Sequence, residues 1–284
     1  MNPRLCGCTF IQPGLSLEQG LTEVKRYGFS QADVGLGGTN ANFDPVSVAE
    51  NPLKFAQQTR AAADRLQLRL AECFLLNFGW PINAPADELH RKTCKLFAGA
   101  CRYAQYAGFS SILVIPGPVH VEIGHAASME LAFTAIHELV HIAGEFGVDV
   151  NVEADVDSCI REPAAALRLC QSVPGAGLTL DYSHFICPGI DAERVELLHA
   201  HTRHMHIRQA AAGRIACDWA DGTIDFVTVI RHLESIGYRG AYCIEYLACD
   251  PSPAAARDAN RRTVEAAVSI DKLLTQYAHD RHTS

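Results

Sequence analysis

The chain of 284 residues contains no run of about 18 apolar residues, so nothing in it reads as a membrane-spanning helix. Its opening, MNPRLCGCTFIQPG, has too short an apolar stretch for a signal peptide, and a cytoplasmic location is expected. Basic residues are in the minority, with 24 Lys and Arg against 32 Asp and Glu and a net charge of −8. A protein built to grip a phosphodiester backbone normally carries the opposite surplus, so no nucleic-acid partner is expected. No low-complexity linker divides the sequence, and no G-x-G-x-x-G follows the first strand-like run, which removes the main signature of an open dinucleotide-binding sheet. A second cysteine pair at zinc-ribbon spacing is also missing. The eleven cysteines are scattered through apolar runs, Cys6 and Cys8 being the one close pair, and read as buried reduced thiols.

What the chain does contain is a regular alternation. Strand-like runs lie near 4–11, 29–35, 67–74, 110–115, 148–153, 177–181, 203–208 and 241–246. Amphipathic stretches follow each, near 16–27, 52–65, 86–107, 128–146, 162–172, 191–200, 223–236 and 253–278. Eight strand–helix units predict a parallel sheet, and their most economical closure in one domain is a (β/α)8 barrel over 1–284, with a disordered tail at 280–284. Long segments at 36–51 and 74–85 follow strands, and in a barrel they would roof the face that carries active sites.

One short motif suggests a different chemistry. His137-Glu138-Leu139-Val140-His141 has the H-E-x-x-H spelling of zinc proteases. On a helix over 128–146, however, Glu130, Thr134, His137, Glu138, His141 and Glu145 form one polar stripe, opposite Ala132, Ile136, Leu139, Val140, Ala143 and Phe146. A barrel helix lays its apolar stripe on the strands, so both histidines are predicted to face water and the protease reading fails.

A stronger pattern is spread over four strand ends: Glu153 in VDVNVE, Asp181 in GLTLD, His206 in RHMHIR and Glu245 in AYCIEY. Alternation sets Asn151 and Glu153 against the valines of their strand, and His204, His206 and Arg208 against Met205 and Ile207. Cys243 and Glu245 likewise oppose Tyr242 and Ile244. With the apolar set toward the helices, the polar set points into the barrel near its C-terminal mouth. Three carboxylates meeting there would repel one another, and a divalent cation would neutralise them. A carboxylate and imidazole set suits Mn²⁺, Zn²⁺, Co²⁺ or Fe²⁺ better than Mg²⁺. Taken singly, each residue has a plainer role, such as capping a helix or pairing with a base; the case rests on their common phase.

These residues resemble the xylose-isomerase-like barrels, a family of sugar isomerases, ketohexose 3-epimerases, inosose dehydratases and endonuclease IV-type nucleases. The resemblance lies in LDYSH with Asp181 and His184, in HMHI with His206, and in ADGTIDFVTVIRHLESIGYRGAYCIEY ending at Glu245. It implies one divalent ion, Mn²⁺ before Zn²⁺, Co²⁺, Fe²⁺ or Mg²⁺, held by Glu153, Asp181, His206 and Glu245. It also implies that Glu153 and Glu245 act as the catalytic proton-transfer pair and that His184 contacts substrate.

The expected activity is isomerisation or epimerisation of a keto-sugar through an enediolate. The alternative is a dehydratase or β-eliminating lyase on a keto-sugar or keto-inositol. An endonuclease IV-type nuclease fits less well, because such enzymes draw extra histidine ligands from early strands and the first histidine here is His90. A non-catalytic sugar-binding barrel is disfavoured by the presence of both glutamates. Arg208 shares the face of His206 and either meets a substrate oxygen or pairs with Asp181 or Glu245. His120, after the fourth strand, and Trp80, in NFGWP, are candidate pocket residues. The arginine that 3-epimerases carry six residues past the metal histidine is Ala212 here. No glycine-rich phosphate cradle lies between strands seven and eight, which points to an unphosphorylated sugar as partner. A homodimer or homotetramer is compatible with this reading.

Overall fold

Eight strands close into a barrel in a computed structural model that describes residues 1–38 and 40–283, the side chains of 280–283 excepted. They are β1 (Leu5–Cys8), β2 (Gln31–Leu36), β3 (Arg69–Leu75), β4 (Ser111–Val114), β5 (Asp149–Val152), β6 (Ala176–Asp181), β7 (Thr202–Ile207) and β8 (Tyr242–Ile244). Each pairs in parallel with the next, and β1 closes on β8 through Leu5–Tyr242, Cys6–Cys243 and Gly7–Ile244. The expected single-domain (β/α)8 barrel is the observed fold.

The helices between strands are α1 (Leu17–Arg26), α2 (Pro45–Glu50), α3 (Pro52–Arg65), α4 (Asp87–Ala107), α5 (Gly124–Gly144), α6 (Pro163–Ser172), the short α7 (Ser183–Ile186) and α8 (Ala192–Val195), α9 (Phe226–Ser235) and α10 (Pro253–Thr283). Their starts follow local chemistry. Ser16 and Gln19 form a reciprocal capping box at α1, Asp44 caps α2 ahead of Pro45, and Asp225 accepts two backbone N–H groups at α9. Over 280–284, where a disordered tail was expected, the backbone continues α10 through Thr283, and Ser284 lies outside the described residues. Among the described residues no helix is long and apolar enough to cross a membrane.

Two apolar layers result from strand alternation. Leu5, Val34, Ile112, Val150, Leu178, Met205, Ile207 and Ile244 face the helices in one continuous core, while Cys6, Cys8, Cys243 and Phe10 form a smaller cluster inside the barrel. The helix layer is tight at α2 and α4, where a Cβ on Gly99 would lie 2.1 Å from the carbonyl oxygen of Ala49. On α5, His137, Glu138 and His141 are exposed and Ile136, Leu139 and Ala143 are buried, so the H-E-x-x-H spelling sits on the solvent side as expected.

The interior of the barrel also holds buried acids. Glu72 of β3 accepts hydrogen bonds from Ser111 (2.7 Å), Asn151 (2.6 Å) and Thr179 (2.6 Å), one from each of the three following strands. Asp33 of β2 accepts from the backbone N–H of Glu72 at 3.0 Å and pairs with His204 Nε2 at 2.8 Å. A buried carboxylate without partners would be strongly disfavoured; these two are held by neighbours on both sides.

Candidate active site

At the C-terminal end of the barrel the four predicted residues meet. Glu153 follows β5, Asp181 ends β6, His206 lies on β7 and Glu245 follows β8. One ligand atom from each lies within 4.8 Å of the others, and all four side chains are buried. Register explains the convergence, since Asp181 is level with His206 across β6 and β7, and His206 with Cys243 across β7 and β8. One residue further on, the backbone N–H of Glu245 still bonds the carbonyl of Ile207, which carries Glu245 to the rim.

Within the cluster, His206 Nδ1 lies 2.8 Å from Glu153 Oε1 and 3.3 Å from Glu245 Oε2. One oxygen of Asp181 accepts the backbone N–H of Ser183 at 2.8 Å, which fixes the carboxylate and leaves Oδ2 aimed at the cluster. Arg208 stands beside the acids, with Nη2 2.7 Å from Asp181 Oδ2 and Nη1 3.4 Å from Glu245 Oε2, while its Nε donates to Ser183 Oγ at 2.7 Å. Of the two roles considered for Arg208, pairing with the acids is present in the fold, and the residue also borders the cavity described below.

The electrostatics follow from this crowding. Burial pushes the Glu153 carboxyl up, and His206 only partly offsets it. Burial acts on Glu245 as well, but His206 and Arg208 outweigh it and hold its carboxyl down at about 2. His206 would be driven toward the neutral form by burial, yet Glu245 and Glu153 lift it well above the ordinary imidazole range.

These residues fit a divalent cation. Asp181 Oδ2 and Glu245 Oε2 are buried with ion-pair contacts to Arg208 but no aligned hydrogen bond, so both carboxylate oxygens keep a lone pair free for an ion. Three acids, one imidazole and a common focus form the oxygen–nitrogen donor set that such ions take. On the far side of the ring, His206 Nε2 is 3.7 Å from Asp33 Oδ2, close enough for a charge interaction with the imidazole though not a hydrogen bond.

Glu153 and Glu245 open onto a cavity of about 370 Å³, lined also by Phe10, Phe74, Asp155 and His184. His184 lies between Arg208, whose Nη2 is 2.8 Å from its Nε2, and Asp155, whose Oδ2 is 3.4 Å from its Nδ1. The loop after β2 borders the same space, and it turns at Gly37, where φ is +82° and a Cβ would meet the carbonyl oxygen of Asn77 at 2.8 Å.

Two expected pocket residues lie elsewhere. His120 points to the 83 loop, with Nε2 3.0 Å from the Asn83 carbonyl, and Trp80 donates to Thr93 Oγ1 at 2.8 Å under the ammonium of Lys92. Both anchor loops outside the cavity wall. Conversely, Asp33, Asp155, Phe10 and Phe74 were not picked out from the sequence. The signal for Asp33 was available, because Gln31 and Asp33 alternate with Ala32 and Val34 on β2.

None of the curated protein sequences matches the chain. Among solved structures, an L-ribulose 3-epimerase is similar at 16% identity and TM-score 0.77, over 98% of this chain and 97% of that one. A D-allulose 3-epimerase from Methylomonas sp., in complex with D-allulose, is similar at 16% identity and TM-score 0.71, over 94% and 96%. The IolI protein with a binding zinc atom is similar at 16% and 0.71, over 96% and 98%. A family model described as xylose isomerase-like TIM barrel matches residues 21–266. The chain therefore belongs to the xylose isomerase-like TIM barrel family.

Proposed function

We propose that this chain is a divalent-metal-dependent isomerase or epimerase of an unphosphorylated keto-sugar. The observation that carries the reading is the convergence of Glu153, Asp181, His206 and Glu245 within 4.8 Å, beside a cavity that both glutamates line. The similar structures named for ribulose and allulose epimerases support the same substrate class.

Glu153, Asp181, His206 and Glu245 would hold a divalent ion, Mn²⁺ before Zn²⁺, Co²⁺, Fe²⁺ or Mg²⁺, which would supply Lewis acidity to a substrate carbonyl. The chain's own groups do the rest. One glutamate takes the proton from the carbon beside the carbonyl, which leaves an enediolate, and the other delivers a proton. Return to the opposite face of the same carbon inverts its configuration; return to the neighbouring carbon moves the carbonyl. His184 and Arg208, on the cavity wall, offer nitrogen groups to sugar hydroxyls. The rings of Phe10 and Phe74 are 5.0 Å apart and give the C–H faces of a sugar an apolar wall that excludes water. About 370 Å³ is within the range of small-molecule sites.

The test is to incubate the metal-loaded protein with a panel of ketoses in D2O and follow the carbon-bound hydrogens. Deuterium is expected beside the carbonyl and is expected to be lost in Glu153→Gln and Glu245→Gln. Absence of exchange across the panel in metal-loaded protein, or exchange undiminished in both variants, overturns the assignment. Release of a dehydrated product would reassign the chemistry to elimination.

A further inference from the structure

The glutamate of the H-E-x-x-H stretch has partners on the neighbouring helix. Glu138 of α5 faces His90 and Cys94 of α4, which are four residues apart and so share one face of that helix. His90 Nε2 lies 2.5 Å from Glu138 Oε2, Cys94 Sγ donates to the same oxygen at 3.2 Å, and the sulfur is 3.9 Å from the imidazole nitrogen. One ligand atom from each residue lies within 4.8 Å of the others. Two groups among the described residues combine thiol, imidazole and carboxylate in this way. The other, Asp33, His204, His206 and Cys243, is wholly buried inside the barrel. The α4–α5 group is open to solvent, with side-chain exposures of 28% for His90 and 52% for Glu138.

We propose that His90, Cys94 and Glu138 form a second metal site, specific for a thiophilic divalent ion of the zinc class. The donor set decides the class: sulfur and imidazole nitrogen favour zinc-like ions, while calcium and magnesium prefer oxygen alone. Geometry agrees. Tetrahedral zinc with bonds of about 2.0–2.3 Å holds its ligand atoms about 3.3–3.7 Å apart. The two contacts to sulfur, 3.2 and 3.9 Å, already bracket that range, and only the 2.5 Å hydrogen bond between His90 and Glu138 must open. Half-exposed Glu138 has the freedom to do so. On binding, the ion replaces the thiol proton of Cys94, which leaves to solvent, and the fourth tetrahedral position is left to water. The site clips α4 to α5 on the outer surface and is independent of the sugar chemistry.

Cobalt distinguishes this site from the barrel cluster, because the four barrel residues include no sulfur. Titration of the reduced protein with Co²⁺ is expected to produce a thiolate-to-cobalt charge-transfer band in the near ultraviolet. The band is expected to saturate with one cobalt per thiolate site, by about two equivalents in all because the barrel cluster takes its own ion, and to disappear when Zn²⁺ is added. It is expected to vanish in Cys94→Ser, to require at least tenfold more Co²⁺ in His90→Asn and Glu138→Gln, and to persist in Cys249→Ser, which removes an exposed thiol elsewhere. Circular dichroism of each variant checks the fold. Absence of the band in the parent protein, or its survival in folded Cys94→Ser, overturns the proposal. Neither result bears on deuterium exchange at the barrel site.

Discussion

Asp33 and Glu153 approach His206 from opposite edges of its ring, Asp33 Oδ2 lying 3.7 Å from Nε2 and Glu153 Oε1 lying 2.8 Å from Nδ1. The hydrogen bond to Glu153 turns Nδ1 to the acid cluster, and Asp33 faces Nε2 across an ion-pair distance. Asp33 itself is fixed by His204 and by the backbone N–H of Glu72. Carboxylates in this outer position typically change metal affinity 10- to 100-fold. We therefore expect Asp33→Asn to weaken binding of Mn²⁺ to the barrel site by about that factor, read by titration calorimetry. Unchanged affinity in the folded variant would show that the ring needs no such support.

Arg208 supplies a prediction of a different kind. Its guanidinium sits against Asp181 and Glu245 at 2.7 and 3.4 Å, with both acids buried. Removing one partner of a buried charge pair typically costs about 3–5 kcal/mol, because the remaining charge is left uncompensated. A divalent ion in the same cluster would compensate it. Arg208→Met should accordingly lower the melting temperature of metal-free protein much more than that of metal-loaded protein, as calorimetry with and without Mn²⁺ would reveal. Equal losses in the two states would argue against an ion among these acids.

Far from that cluster, His199 sets a pH dependence. It is buried between the Tyr182 hydroxyl, 2.7 Å from Nε2, and His232 Nδ1, 3.0 Å from its own Nδ1. Burial first, then His232, pushes its value down to about 4. In the unfolded chain the same ring titrates near 6.5. Between those values the unfolded state binds the extra proton, so this contribution to stability is intact above about pH 6.5 and is lost as pH falls toward 4. The loss amounts to at most ~3 kcal/mol. His199→Gln should flatten the fall in melting temperature across that window relative to the parent; an unchanged slope would refute the linkage.

Much of this architecture was legible because one rule, the alternation of strand faces, was obeyed where it mattered. VDVNVE, RHMHIR and AYCIEY each separate a polar from an apolar set, and that was enough to bring Glu153, His206 and Glu245 to one side. The rule is broken in β3. There Ala32 pairs with Leu70 but Val34 pairs with Cys73, so a bulge places one additional residue on β3. Strict alternation would have put Leu70 and Glu72 on the same face; the bulge lets Leu70 pack on the helices while Glu72 turns inward to its three hydroxyl and amide donors. Trp80 and His120 went astray for a simpler reason. Side-chain direction in a loop has no periodicity, so neither NFGWP nor PGPVH could tell that Trp80 would bond the Thr93 hydroxyl and His120 the Asn83 carbonyl instead of facing the cavity.

All four converging side chains come from consecutive strands, β5 through β8, whereas Phe10, Gly37 and Phe74 on the cavity wall belong to the segments around β1, β2 and β3. The four converging residues thus lie in one half of a continuous ring, with His184 and Arg208 beside them, and the apolar part of the wall lies in the other half. Under the proposed function, grafting the early segments of another such barrel onto this one would change the apolar wall that meets the ligand while leaving Glu153, Asp181, His206 and Glu245 in place.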